Sequence, residues 1–286
     1  MSLVALVLIL LSAFMHATWN YYSKRAQGGV AFTWLFMAIS TVIYAPFAIL
    51  VILYQHSHFD WIDGLFIAGS TVIHLIYFLV LQKGYKVGDL SVVYPVARGT
   101  GPMLAAIAAI FIYNEQPSFI EFLGVFLIVL SVFFLTGGVK VLKNSASFLP
   151  LMYGLIVGVI IASYTLLDKG SVSVLLIPPL LYNYGSILGQ FILLSPLAAQ
   201  RRQEIRHEWK VHRKEAFMIA VLSPLAYILV LTAMIFTPVS HVAPVRELSI
   251  LIGTFMGTRL LAEGFGKQRI AAAGAMVAGV IFVALS

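Results

Sequence analysis

"LSVVYPVARG" (residues 90–99) and "VSHVAPVREL" (239–248) decide the fold when they are laid over one another. Without a gap they share Ser91/Ser240, Val93/Val242, Pro95/Pro244 and Val96/Val245, and they set Arg98 opposite Glu247. A second pair, "HATWNYYSK" (16–24) and "IASYTLLDK" (161–169), shares Ala17/Ala162 and Lys24/Lys169 and matches Thr18 with Ser163 and Trp19 with Tyr164. The order of the two segments is the same in both halves of the chain. Each proline segment then leads to a glutamate, Glu115 or Glu263, and on to a glycine-containing apolar run. A chain with this internal order is a tandem repeat.

Composition says where the repeat lives. Of 286 residues, 61% are hydrophobic and 10% charged, against about a quarter charged in soluble domains. Uncharged runs such as 30–54, 64–82, 145–167 and 172–200 each approach or exceed the roughly 20 residues that cross a ~30 Å hydrocarbon core. Runs of that length satisfy their backbone as helices, not barrel strands. The expected fold is an all-α integral membrane protein of ten transmembrane helices, arranged as two inverted five-helix repeats, 1–143 and 144–286, in one transporter domain. Inversion follows because five is odd. Substrate sites in such folds lie near the bilayer midplane where the repeats meet.

Turn and charge signals mark the cuts between spans, among them "NEQPSFIE", "LDKGSVS", "FTPVSH" and the strongly charged 200–215, expected to be a solvated connector. Fifteen of the eighteen Lys and Arg residues fall in odd-numbered loops and only Lys169 in an even one. The positive-inside rule then makes the odd loops cytoplasmic and both termini extracytoplasmic. The net charge of +7 is accounted for by that bias, so nucleic acid is not an expected partner; membrane lipid is. There are no cysteines, hence neither disulfides nor thiol chemistry. The first twenty residues lack a basic n-region and a small-residue cleavage site, which predicts a retained first helix.

"GDLSVVYPVARGTGP…NEQPSFIEFLGVFLIVLSVFF" and its echo "VSHVAPVRELSIL…LLAEGFGKQRIAAAGAMVAGV" resemble the EamA-type permeases of the drug/metabolite transporter superfamily. The resemblance covers nearly the whole chain. It implies a secondary transporter, without cofactor, that exports amino acids, other metabolites or drugs from a bacterium across its inner membrane.

The two basic residues left inside predicted helices are Arg98 and Arg246. An arginine in the membrane interior costs at least about 2.5–3.5 kcal/mol and generally faces a cavity or a partner. Each follows a helix proline, Pro95 or Pro244, expected to open the helix locally. The planar fork of a guanidinium suits a carboxylate or phosphate, so both arginines are candidate substrate ligands. The alternative for Arg98 is a buried strut to Glu247. Glu247 and His16 are the candidate proton carriers, and His74 a further polar ligand. Trp19, Asn20, Tyr77, Tyr94, Tyr164, Tyr182 and Tyr227 are candidate walls of the pocket. No metal-ligand spacing and no nucleotide-binding motif occurs, so no cofactor and no metal is expected.

These residues predict a secondary active transporter, an exporter by family resemblance, of a small polar anionic or zwitterionic metabolite such as an amino acid or organic acid, working by alternating access. The partners are that small molecule, protons as candidate coupling ion, and lipid, with the chain a monomer or homodimer. An alternative is a cation or multidrug exporter using Glu247 and an aromatic cage. An enzyme reading, an intramembrane hydrolase built on His16, Ser186 and Glu247, has no motif tying the three together.

Overall fold

The computed structural model describes residues 1–26, 28–55, 60–87, 90–135, 148–261 and 267–286. Its helices are α1 (Leu3–Ala26), α2 (Val30–Gln55), α3 (Trp61–Val87), α4 (Leu90–Ile112), α5 (Phe119–Leu135), α6 (Phe148–Ser173), α7 (Pro179–Gln200), α8 (Arg202–Val211), α9 (Arg213–Phe236), α10 (Val239–Arg246), α11 (Leu248–Leu261) and α12 (Lys267–Leu285). Among the described residues there is no strand. Among the described residues, five helices are long and apolar enough to cross a membrane: α1, α2, α3, α6 and α9. Shorter apolar helical stretches cover 96–112, 119–134 and 270–285. Glu263 and the expected boundary at 143/144 lie outside the described residues.

The repeat is visible in which helices touch. If α1–α5 correspond in order to α6, α7, α9, α10 with α11, and α12, every major contact between halves has its counterpart. Packing of α4 on α6 is answered by α1 on α10 and α11, α1 on α9 by α3 on α6, and α2 on α9 by α3 on α7. The pairs α2·α7, α4·α10 and α5·α12 answer themselves. A pseudo-twofold exchange of halves requires this set.

Close packing in a bilayer depends on small residues at the crossings, because lipid is as apolar as leucine and gives helices no hydrophobic reason to associate. At the α4–α6 crossing, a Cβ on Gly154 would stand 2.8 Å from the Val96 Cβ and 3.1 Å from the Val93 carbonyl oxygen. At the α5–α12 crossing, Gly124 and Gly279 face each other so closely that a Cβ on either would meet the other's carbonyl oxygen at 2.7 Å. Backbone cannot step aside as a side chain can. Gly279→Leu is therefore expected to lower stability by at least about 1–3 kcal/mol through overpacking. Gly274→Leu on the same helix, where nothing lies within 4 Å, should stay within about 0.5 kcal/mol of the parent. Melting temperatures of the two variants in one detergent separate them, and equal losses would contradict the crossing.

Polar links complete the packing. Pro224 inside α9 deprives the Ala220 carbonyl of its helical partner, and the Ser40 hydroxyl of α2 donates to that oxygen at 3.0 Å. This is how a membrane helix tolerates proline. Tyr44 of α2 donates to the Val221 carbonyl at 2.7 Å, and Arg25 pairs with Glu215 at 3.3 Å where α1 ends and α9 begins.

One expectation is corrected. "LDKGSVS" is not a loop: residues 167–173 are the last turns of α6, and Asp168 and Lys169 are buried there at 0% and 8% exposure. Asp-Lys-Gly reads locally as a turn, but packing on three sides keeps the helix going. The connector 200–215 is largely helical, as α8, and none of that helix's residues is buried.

Candidate functional site

The second proline segment breaks and the first does not. α4 runs through Pro95 to Ile112, whereas α10 stops at Arg246 and α11 starts at Leu248. Glu247 stands in the gap, its N–H reaching the Pro244 carbonyl at 2.9 Å in a tightened turn. A proline inside each helix removes one helical hydrogen bond in both, so the ring alone does not explain the difference. The side chains of Tyr94 and Pro95 lie outside the described residues.

The break carries charge into the core. Glu247 is 1% exposed and Arg246 4%. Arg98 from α4 meets Glu247 with 3.0 Å between Nε and Oε2, and its Nη2 donates to the Ser249 hydroxyl at 3.3 Å. The strut alternative for Arg98 is thus the arrangement in the structure, and it joins the two halves across the break. Arg246 is different. Among the described residues it forms neither a hydrogen bond nor an ion pair, and its Nε is buried. It lies within electrostatic reach of Arg98, Glu247, Tyr164 and Tyr227. His16, half-buried midway along α1, feels both arginines, and its ring packs edge-on against Trp19 at 4.9 Å. With Glu247 matched to Arg98, the group holds one unmatched positive charge, on Arg246.

A second polar group adjoins the first. Asp168 of α6 accepts from the Ser70 hydroxyl (α3) at 2.9 Å and the Tyr182 hydroxyl (α7) at 2.6 Å, both on Oδ1, and from the Tyr227 hydroxyl (α9) on Oδ2. His74 stacks on Tyr164 with centroids 4.3 Å apart and stands edge-on to Tyr227 at 5.8 Å, while Tyr77 meets Tyr164 edge-on at 5.9 Å. Tyr164 and Tyr227 bridge the two groups, since both lie within reach of Arg246.

An apolar shell of Ala97, Val157 and Ile161 backs Tyr164, with Ile73, Val80 and Leu81 partly buried around it. Toward one end of the bundle, Glu115 takes the Val239 and Ser240 N–H groups at 2.7 and 3.0 Å, capping α10. Lys169 donates to the Met234 and Thr237 carbonyls at 2.6 and 3.1 Å where α9 ends. A carboxylate at a helix N-terminus and an ammonium at a C-terminus each match the local dipole. His241 and Glu121 make a further buried contact there at 3.0 Å.

A sequence model described as the EamA-like transporter family matches residues 3–137 and 148–285, one copy in each half. The chain belongs to the EamA-like transporter family. It is therefore a membrane transporter of the drug/metabolite transporter superfamily and an integral membrane protein, in a family of transporters and not of enzymes. The two EamA copies coincide with the two sets of helices that exchange under the pseudo-twofold. A solved structure described only as "Crystal structure of protein" is similar in fold, with a TM-score of 0.77 over 98% of this chain and 96% of that one at 12% identity. No curated protein sequence matches.

Within this EamA fold the expected site residues divide. Arg98, Arg246, Glu247 and His16 come together at the break, and His74, Tyr77 and Tyr164 gather around Asp168. Trp19 packs beside His16 but faces the apolar cluster of Phe32, Leu35 and Ile219. Asn20 stands apart, exposed, donating to the His16 carbonyl of its own helix at 2.7 Å. Asp168, Ser70 and Ser249 were not singled out by the sequence. Asp168 had one signal available, its place beside Lys169 at the end of a repeated segment. Ser70, His74 and Asp168 have the residue types of a hydrolase triad but not its order, because the carboxylate accepts from the serine and not from the histidine.

Proposed function

We propose that this chain is a secondary active exporter of a small metabolite carrying a carboxylate, an amino acid or organic acid, moved by alternating access of two inverted five-helix repeats. The observation that carries this is Arg246, a buried guanidinium with no described partner at the junction of the halves. A desolvated cation held among tyrosine rings is stabilised by an arriving carboxylate, whose two oxygens fit the guanidinium fork. The arginine's charge is matched only while substrate is bound, which favours the loaded state of the site. The Arg98–Glu247 contact holds the two halves in register around it. The cation-exporter alternative loses its central residue, because Glu247 is already matched by Arg98 and stands beside Arg246.

Uptake of a defined mixture of amino acids, dicarboxylates, sugar phosphates and quaternary amines into proteoliposomes, read by mass spectrometry, tests the proposal. Carboxylates accumulating unaltered would support it. Accumulation of the quaternary amines alone would establish the cation alternative, and no accumulation of any class would contradict both.

The ten spans and their orientation, with both termini outside a bacterial inner membrane, belong to the same proposal. The absence of native cysteines makes single-cysteine labelling clean. Gln116→Cys, exposed between α4 and α5, should react with an impermeant maleimide on intact cells, and Glu204→Cys in α8 only after permeabilisation. The reverse pattern would invert the topology.

A further inference from the structure

Asp168 is the one buried carboxylate of the two polar groups that no cation answers. Among the described residues no Lys, Arg or His stands within ion-pair distance of it. Its neighbour Lys169 is turned away onto the α9 carbonyls. Ionisable residues inside a membrane helix are costly and mark ion or proton pathways. What surrounds Asp168 is a ring of hydroxyls, one from each of three packed helices: Ser70 on α3, Tyr182 on α7 and Tyr227 on α9. Beyond that ring stand His74 on α3, Tyr164 on α6 itself, Tyr113 after α4, and Arg246 behind Tyr227.

The Ser70 contact has a direction. His74 Nδ1 lies 2.9 Å from the Ser70 carbonyl oxygen, which can only accept, so Nδ1 carries the proton. Nδ1 also lies 3.2 Å from the Ser70 hydroxyl oxygen, whose own hydrogen points to Asp168 at 2.9 Å. Nδ1–H is thus shared between the Ser70 carbonyl and hydroxyl oxygens, and through the hydroxyl it leads by Oγ–H to Oδ1 of the carboxylate. His74 is half-buried, midway along α3, and Asp168 is fully buried.

We propose that Asp168 is the proton-binding site of this chain, loaded through His74 and Ser70; its part in transport rests on the transporter reading above. His74 first takes up a proton at Nε2; the proton on its Nδ1 then passes to the Ser70 oxygen as the Ser70 proton passes to Oδ1, which leaves His74 neutral and protonated on Nε2. Charge and protons balance without any further reactant. An ionised Asp168 accepts all three hydroxyls and ties α3, α7 and α9 to α6. Once protonated it has a hydrogen to donate, and at least one of those hydroxyls must turn from donor to acceptor. The tie between helices of the two halves then loosens, which is the change alternating access needs.

Infrared difference spectroscopy of the full chain in liposomes, titrated with pH in H2O and D2O, reads the proton directly and needs no substrate. A titrating carboxylic-acid C=O band that shifts in D2O is expected, and Asp168→Asn should remove it. Ser70→Ala should move the band to a different C=O frequency, because one hydrogen-bond partner of the carboxyl has gone. His74→Phe should slow its appearance after a pH jump by about tenfold or more, a rate that a merely structural role would leave alone. A band that survives in Asp168→Asn, or no titrating band at all, would overturn the assignment. If the asparagine variant does not fold, an unchanged band in Ser70→Ala overturns it equally. Failure of the carboxylate uptake experiment would leave this band in place, so the two proposals fail separately.

Discussion

Arg98→Ala should destabilise the unliganded protein by about 3–5 kcal/mol, the usual consequence of stripping one partner from a buried ion pair. Glu247 is 1% exposed and would be left charged in the core beside the helix break. The penalty comes from the abandoned carboxylate more than from the lost attraction, because charges taken out of water have to be compensated where they are. Removing both members together, as Arg98→Met with Glu247→Leu, should therefore recover most of the loss. Melting temperature in detergent reads both variants. A double variant as unstable as the single one would show that Arg98 supports the fold by some route other than Glu247.

Arg246→Met should behave in the opposite way. The guanidinium has no described hydrogen bond or ion pair to lose, and methionine keeps the volume of the aliphatic stem. The unliganded protein is then expected to be as stable as the parent or more so. The loss appears on binding. Removing one side of a buried charge pair costs about 2–5 kcal/mol, which is roughly 30-fold or more in Kd at 1.4 kcal/mol per factor of ten. Two arginines of one membrane core thus give opposite signs in the empty protein, and the sign follows from whether each has a partner.

Much of this arrangement was legible in the sequence. The gap-free offset that aligned Pro95 with Pro244 also set Arg98 against Glu247, and those two residues meet at 3.0 Å. Such an offset is informative because two halves that exchange about a pseudo-twofold bring equivalent positions together near its axis. Arg246 stood out because a charge in a long uncharged run demands a reason. Two things were not legible. Asp-Lys-Gly at 168–170 looks like a turn to any local rule, and only the packing of α3, α7 and α9 around it makes it helix. Nor does a proline at the aligned position of each segment say that α10 breaks at Glu247 while α4 continues. Asn20 shows the opposite error: its position in a repeated segment suggested the site, yet its amide serves its own helix.

Carboxylate binding at Arg246 is read most directly by thermal-shift measurements on the parent and Arg246→Met against one panel of amino acids, organic acids, phosphorylated metabolites and quaternary amines. A ligand at a hundred times its Kd stabilises by about 2.7 kcal/mol, so a true ligand is visible. Carboxylates should raise the parent's melting temperature and leave that of Arg246→Met unmoved. Equal stabilisation of both proteins by the same carboxylate would contradict it.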